Sequence, residues 1–324
     1  MKKTVLSGIQ PSGAQVHLGN YLGAMKRFVQ LSKEFETIFC LVDLHALTTV
    51  EVAKDLKDYT MSLAASYLAI GIDPSKTILF RQSDVTEVCE LTWYLSCHFP
   101  LGLLERAHKL KDLKAKESYI NSGVLIYPIL MAADILLYRA NLIPVGADQK
   151  QHLEMCRDVA IKFNAAYNKE IFVVPEPLID ENTAVIPGLD GRKMSKSYNN
   201  YIGLFEDSKT LKEKIMRIVT DSKSLEESKD PYTCNVFQLY KLIASKEEAE
   251  ALAERYLKGG MGYGHAKEEL LKVVEREIAP LREQYQHWMK RPDDLRDILK
   301  SGAARAKQIA GNVISDVREA VGVS

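Results

Sequence analysis

The chain has 324 residues, 46% of them apolar, with 43 basic and 43 acidic side chains. That length buries a substantial core without disulfides or structural metals, and the composition excludes the disordered, collagenous and disulfide-scaffold classes. Residues 201–324 taken alone also balance acid against base, so any nucleic acid must be met by local patches rather than by a basic arm, and no DNA partner is expected.

Five cysteines at positions 40, 89, 97, 156 and 234 form no CxxC pair, and no histidine stands near them at zinc-finger spacing. They read as reduced thiols of a cytosolic protein. The opening MKKTVLSGIQPSG breaks at Ser7 and Gly8, short of a signal h-region. The longest uncharged run, Ser118 to Ala133, is too short and too polar to span a bilayer. A cytoplasmic protein with no membrane partner is expected.

In chain order, β-type runs at Thr4–Ile9, Thr37–Val42, Thr77–Phe80, Leu142–Val145 and Ile171–Val174 alternate with helical stretches. Such alternation predicts an α/β fold, a doubly wound parallel sheet of Rossmann-like type. From about Phe205 the pattern becomes helical throughout. The expected division is 1–200 for the sheet domain, 201–300 for a helical domain, and 301–324 for a last helix, about Ala303–Ala320, that packs on one of them. Pro187 to Asn200, interrupted by Gly188, Gly191 and paired asparagines, reads as an exposed, mobile linker.

The first strand runs into Gln10-Pro11-Ser12-Gly13, and a helix is expected to start near His17-Leu18-Gly19-Asn20. At the carboxyl edge of such a sheet, backbone N–H groups and the helix dipole favour phosphate. Gly19 would let a base or ribose approach the backbone, and His17 would donate to a phosphate oxygen; a plain turn before a helix is the competing reading. Lys193-Met194-Ser195-Lys196-Ser197, preceded by Arg192, places three cations on a loop able to close over a triphosphate. A solvated basic loop is the alternative.

Asp134 interrupts the apolar run GVLIYPILMAADILLY, whose Pro128 suits the first turn of a buried helix. Tyr127, Met131 and Asp134 then share one helix face. A buried carboxylate needs hydrogen-bond donors, and Arg139, a backbone amide or a bound substrate would each supply one. Gly260-Met261-Gly262-Tyr263-Gly264 imitates a dinucleotide fingerprint but follows no strand, so a nicotinamide cofactor is not expected.

Taken together, SGIQPSG at 7–13, VDLHA at 42–46, YPILMAAD at 127–134, VGADQKQH at 145–152 and the KMSKS string at 193–197 make the chain resemble class I aminoacyl-tRNA synthetases, and within them the bacterial tryptophanyl-tRNA synthetase family, over nearly its whole length. Two departures stand out. The first signature ends in Asn20 where the superfamily has a second histidine, and residues 180–192 only loosely follow the family's approach to the lysine loop.

The resemblance implies a Rossmann-like catalytic domain, a helical anticodon-binding domain, a homodimer, and activation of L-tryptophan by ATP with Mg2+ before transfer to tRNA(Trp). It implies catalytic roles for Gln10, His17, Lys193 and Lys196. It places ATP against Gln10, Pro11, Ser12, Gly19, Asn20, Gly146, Ala147, Asp148, Ile186, Lys193, Met194, Ser195, Lys196 and Ser197. Tryptophan would meet Asp134 through its indole N–H, with Tyr127, Met131, Gln149 and His45 around it. The basic stretch Arg106, Lys109, Lys111, Lys114 and Lys116 would meet ATP phosphates or the tRNA acceptor end, a solvated helix face being the alternative. A tyrosyl-tRNA synthetase, a small-molecule nucleotidyltransferase and a non-catalytic RNA-binding paralogue are the competing functions.

Overall fold

The computed structural model describes residues 2–13, 15–107, 110–111, 120–146, 149–179 and 185–323. Five parallel strands form one sheet: β1 (Thr4–Ile9), β2 (Glu36–Leu41), β3 (Ile78–Arg81), β4 (Leu142–Pro144) and β5 (Glu176–Leu178), in the order β3-β2-β1-β4-β5. β1 lies at the centre, with Val5 opposite both Thr37 and Leu142. The chain winds to one edge, then returns across β1 to the other. The switch point therefore falls between β1 and β4, and a crevice opens there outside the strands' carboxyl ends.

Strand periodicity sorts the core onto two faces. Val5, Phe39, Leu41, Leu79 and Leu142 point into one apolar cluster, while Leu6, Ile38, Cys40, Phe80 and Ile143 point into the other. Helices sheathe both faces, so the strands read as continuous apolar runs rather than alternating ones. The first helical stretch runs through α1 (Leu18–Asn20), a π-helical turn (Tyr21–Met25) and α2 (Lys26–Glu34); α3 (Asp43–Ala46), α4 (Ala53–Ala69), α5 (Glu87–Ser96), α6 (Leu101–Glu105), α7 (Ser122–Leu136) and α8 (Lys150–Tyr167) follow. Beyond residue 204 come only helices among the described residues: α9 (Ser208–Met216), α10 (Asn235–Lys241), α11 (Lys246–Lys258), α12 (Tyr263–Met289) and α13 (Pro292–Val321).

The later helices share a core with the sheet rather than hanging from it. Leu211, Phe237, Tyr256 and Leu270 belong to the same cluster as Phe39 and Tyr67. Phe205 stacks on Tyr285 with ring centroids 4.0 Å apart, and the Tyr285 hydroxyl lies 2.8 Å from Ser62 Oγ in α4. The last helix crosses from one face to the other: Leu295 and Leu299 join the first cluster, Ala303 to Val317 the second. It crosses at Gly302, where a Cβ would stand 1.9 Å from the Leu79 carbonyl oxygen. Only glycine admits that approach, and it lets α13 cover the edge strand β3.

Four expectations are corrected. The fifth strand is Glu176–Leu178, not Ile171–Val174; the N–H groups of Ile171 and Phe172 are taken by Asn164 Oδ1 at 3.1 and 3.0 Å, so a side chain replaces the ladder there. Pro128 lies inside α7, not in its first turn, because Asn121 caps the helix earlier by accepting from the Val124 N–H at 3.1 Å. The last helix starts at Pro292, a residue suited to the first helical position and followed by two acidic residues. The 187–200 segment is not all exposed, since Met194 and Asn200 are each 3% exposed.

Candidate active site

The N–H of Asn20, the third residue past His17, is shared between the His17 carbonyl at 2.9 Å and His17 Nδ1, which accepts it at 3.2 Å. Asn20 Oδ1 in turn accepts the His17 N–H at 3.1 Å. This reciprocal cap gives Asn20 a structural reason to stand where the superfamily has histidine. It also fixes the imidazole: with Nδ1 an acceptor, the proton sits on Nε2. Burial, followed by the charge of Lys196, depresses this imidazole from 6.5 to about 4, so it is neutral near pH 7.

The KMSKS segment folds onto that cap. Leu18 N–H donates to the Ile202 carbonyl at 2.8 Å and Leu204 N–H to the Val16 carbonyl at 2.9 Å. Met194 is buried, its Sδ accepting the Gly19 N–H at 3.2 Å, and a Cβ at 19 would come within 3.2 Å of Met194 Cβ. The methionine of the loop thus gives Gly19 a reason of its own. Asn200 holds the loop's shape: it accepts from Ser195 N–H at 2.8 Å and donates to Asp190 at 2.7 Å and the Lys193 carbonyl at 3.2 Å. Gly188 packs so tightly on Asn200 that a Cβ would lie 2.3 Å from its side-chain nitrogen.

Two adjoining cavities lie at the carboxyl edge of the sheet. The smaller, about 210 Å³, is lined by Gln10, Pro11, Ser12, Gly13, His17, Asn20, Ser195 and Lys196. Among the described residues its lining carries a cation and a neutral imidazole but no carboxylate. The Lys196 ammonium lies across Gly13, where a Cβ would come 2.6 Å from Nζ. Burial lowers its pKa from the ordinary 10.5.

The larger cavity, about 590 Å³, occupies the switch point. β1, β2 and β4 supply Leu6, Cys40 and Ile143, α7 supplies Tyr127, Met131 and Asp134, and His45, Gln149 and His152 close the sides. Ile9, Gln10 and Asn20 line both cavities. Gln10 spans the junction, its Nε2 donating to the His45 carbonyl at 3.3 Å and to Thr49 Oγ1 at 3.1 Å.

Asp134 is 4% exposed at the wall of this cavity. Its partner is not Arg139, which pairs with Asp316 at 2.7 Å. Gln82 Nε2 donates to both carboxylate oxygens at 2.8 Å, and His45 Nε2 lies 2.9 Å from Oδ2. Gln82 was invisible to motif reasoning; the only sequence signal is a polar residue immediately after a buried strand. Tyr127 hydroxyl meets His152 Nε2 on the same wall.

The structure therefore gathers Gln10, Pro11, Ser12, His17, Asn20, Ser195 and Lys196 at one cavity, and Gln10, Asn20, His45, Tyr127, Met131, Asp134 and Gln149 at the other. It does not bring every expected residue there. Lys193 and Ser197 are exposed. Ile186 is buried in the core near Gly23, its carbonyl accepting the Met194 N–H at 2.8 Å. Arg192 is held by Asp190 at 2.6 Å and lies over the Tyr198 ring. The Gly146 carbonyl accepts the Gln149 N–H at 3.0 Å, opening α8. Arg106 Nε donates to the Gly102 carbonyl and Lys111 is exposed. Ala147, Asp148, Lys109, Lys114 and Lys116 lie outside the described residues.

Comparison with known proteins matches residues 2–278 to the family described as tRNA synthetases class I (W and Y). A tryptophan–tRNA ligase from Fusobacterium nucleatum is 48% identical over 321 residues, covering 99% of this chain and 98% of the relative. One from Rhodopirellula baltica is 46% identical over 319 residues, covering 98% and 99%. The crystal structure of tryptophanyl-tRNA synthetase from Campylobacter jejuni, complexed with ADP and tryptophan, superposes with a TM-score of 0.93 at 44% identity, covering 98% of this chain and 99% of that one.

Proposed function

Since the chain belongs to the class I tRNA synthetases for tryptophan and tyrosine, we propose that its paired cavities activate L-tryptophan with ATP and that the aminoacyl group is then transferred to tRNA(Trp). The activity is that of a tryptophan–tRNA ligase. One observation carries the choice of substrate: a buried carboxylate, Asp134, stands in the wall of a largely apolar 590 Å³ cavity that opens beside a cationic one. An indole fills the first and donates its N–H to Asp134; ATP fills the second.

The tryptophan carboxylate is its own nucleophile, attacking the α-phosphorus in line and releasing pyrophosphate. The protein's part is alignment and charge. Gln10, which lines both cavities, places the carboxylate against the α-phosphate, while Gln149 and Tyr127 meet the α-amino group and the ring. His17, neutral with its proton on Nε2, donates to a phosphate oxygen. Lys196 neutralises the departing pyrophosphate, and Lys193 joins it when the loop closes. Met194, Ser195 and Ser197 shape that loop, and Gly19, Gly146, Ala147, Asp148 and Ile186 complete the nucleoside side. Magnesium comes as the ion of the MgATP substrate, carried by phosphate oxygens.

Residues 1–200 and 201–300 divide the labour, the first adenylating and the second reading the anticodon, with 301–324 bracing the sheet. The protein acts in the cytoplasm as a homodimer, and Trp93, 70% exposed, and Leu101, 61% exposed, offer apolar surface for a second copy. No helix among the described residues is long and apolar enough to cross a membrane. ATP–pyrophosphate exchange measured with each of the twenty amino acids tests the reading. Exchange with tryptophan alone is the expected result; exchange supported best by tyrosine, or by none, rejects it.

A further inference from the structure

We infer that Gln82 is the positioning residue that sets amino-acid selectivity, by holding Asp134 so that Oδ1 alone is left to accept the indole N–H. The inference rests on the assignment of the larger cavity to tryptophan and goes beyond it by naming the atom and the group that prepares it.

Gln82 follows β3 in a 3-10 turn (Gln82–Asp84) and is 1% exposed. A buried amide is tolerated only when both its ends are satisfied. Here the Leu44 N–H donates to Oε1 at 3.0 Å. That bond decides which end of the amide is oxygen. The reverse orientation would set an NH2 group against an N–H and an oxygen against a carboxylate, two repulsive contacts. Nε2 is therefore forced toward Asp134, where it sits 2.8 Å from each oxygen.

The turn carrying Gln82 is itself fixed. Ser83 N–H and Oγ donate to the two oxygens of Asp43 at 2.9 and 2.5 Å, so two adjacent residues of the turn are tied to the first two of α3. α3 also delivers His45, whose Nε2 lies 2.9 Å from Asp134 Oδ2. A carboxylate only accepts, so that nitrogen carries the proton. An ionised carboxylate offers about four lone-pair directions. Gln82 bridges both oxygens and His45 adds a second bond at Oδ2, so among the described residues Oδ1 is the oxygen with one donor only. An acceptor prepared in this way rewards a ring N–H and penalises a ring that has none, because the latter leaves a buried lone pair unpaired. Without Gln82 the carboxylate is free to turn toward its remaining donor, and the discrimination falls.

The test is pyrophosphate exchange by the full chain, comparing tryptophan with its benzothiophene analogue in the wild type, Gln82→Leu and Gln82→Glu. Gln82→Leu is expected to lower kcat/KM for tryptophan by about 10- to 100-fold, mostly through KM, and to lower it less than about threefold for the analogue, with the KM for ATP unchanged. Gln82→Glu keeps the side chain's shape and its acceptor for the Leu44 N–H but sets a second carboxyl against Asp134, so that the pair shares one proton and Asp134 no longer offers the indole a fully ionised acceptor. It should lose the preference too, and it covers the case in which the leucine variant does not fold. A wild-type preference that persists in both variants overturns the inference, as does an equal loss for both substrates. A wild type that shows no preference for tryptophan instead overturns the assignment of the cavity, and this inference falls with it.

Discussion

Removing the Lys196 ammonium is the perturbation whose size the structure constrains best. The amine reaches across Gly13 into the 210 Å³ cavity beside His17, and burial lowers its pKa, with no carboxylate among the described residues compensating. A solvent-exposed cation would contribute up to about 1 kcal/mol. A preorganised donor in a partly dry pocket contributes about 2.7–4 kcal/mol when it meets charge that develops in the transition state. Lys196 is of the second kind, since its desolvation is already in place before substrate arrives. Lys196→Ala should therefore lower kcat for adenylate formation by roughly 10² to 10³ while leaving the KM for tryptophan within about twofold. Steady-state ATP–pyrophosphate exchange at varied tryptophan measures both. An unchanged kcat, or a loss confined to the tryptophan KM, would refute the assignment.

Two predictions concern stability. His17 is held neutral down to about pH 4 in the folded chain but titrates near its ordinary 6.5 when unfolded, so between those values the unfolded chain binds the extra proton and stability should rise with pH; urea midpoints from pH 4 to 7 should show a shallower slope in His17→Gln, and an unaltered slope would show that His17 is not the group responsible. Gly302→Ala drives a Cβ against the Leu79 carbonyl and should cost about 1–3 kcal/mol, read from urea unfolding, whereas the same change at Gly311, where a Cβ meets nothing within 4 Å, should be neutral or slightly stabilising; equal effects at both sites would mean that the helix does not close on β3 as described.

What the sequence made legible was whatever a short-range pattern encodes. β1 and β2 fell within a residue of their observed limits because apolar runs bounded by turns mark parallel strands. The shared face of Tyr127, Met131 and Asp134 followed from helical spacing alone. Contacts distant in sequence were not legible. Ile171 and Phe172 have strand composition, but Asn164, a helix residue seven and eight positions earlier, takes their N–H groups. Asp134 demanded a donor, and nearby Arg139 was one candidate; the donors came from positions 45 and 82, in the helical turns that follow two neighbouring strands. Asn20 looked like a departure from a two-histidine pattern until its reciprocal bonds with His17 showed a helix cap. The polar residues that position the site, Gln82 and Asn200 among them, belong to no periodicity, so only the fold reveals them.

The central claim is that Asp134 reads the indole N–H, and the most direct measurement is kcat/KM for tryptophan and for its benzothiophene analogue in the wild type and in Asp134→Ala. Losing the carboxylate disturbs Gln82 and His45 equally whichever substrate is bound, so the comparison isolates the one hydrogen bond that only tryptophan makes. Tryptophan should lose about 1.5–3 kcal/mol more than the analogue, the range for a hydrogen bond to a charged group. Equal losses for the two substrates would contradict the claim and leave Asp134 as a support for the two side chains that hold it.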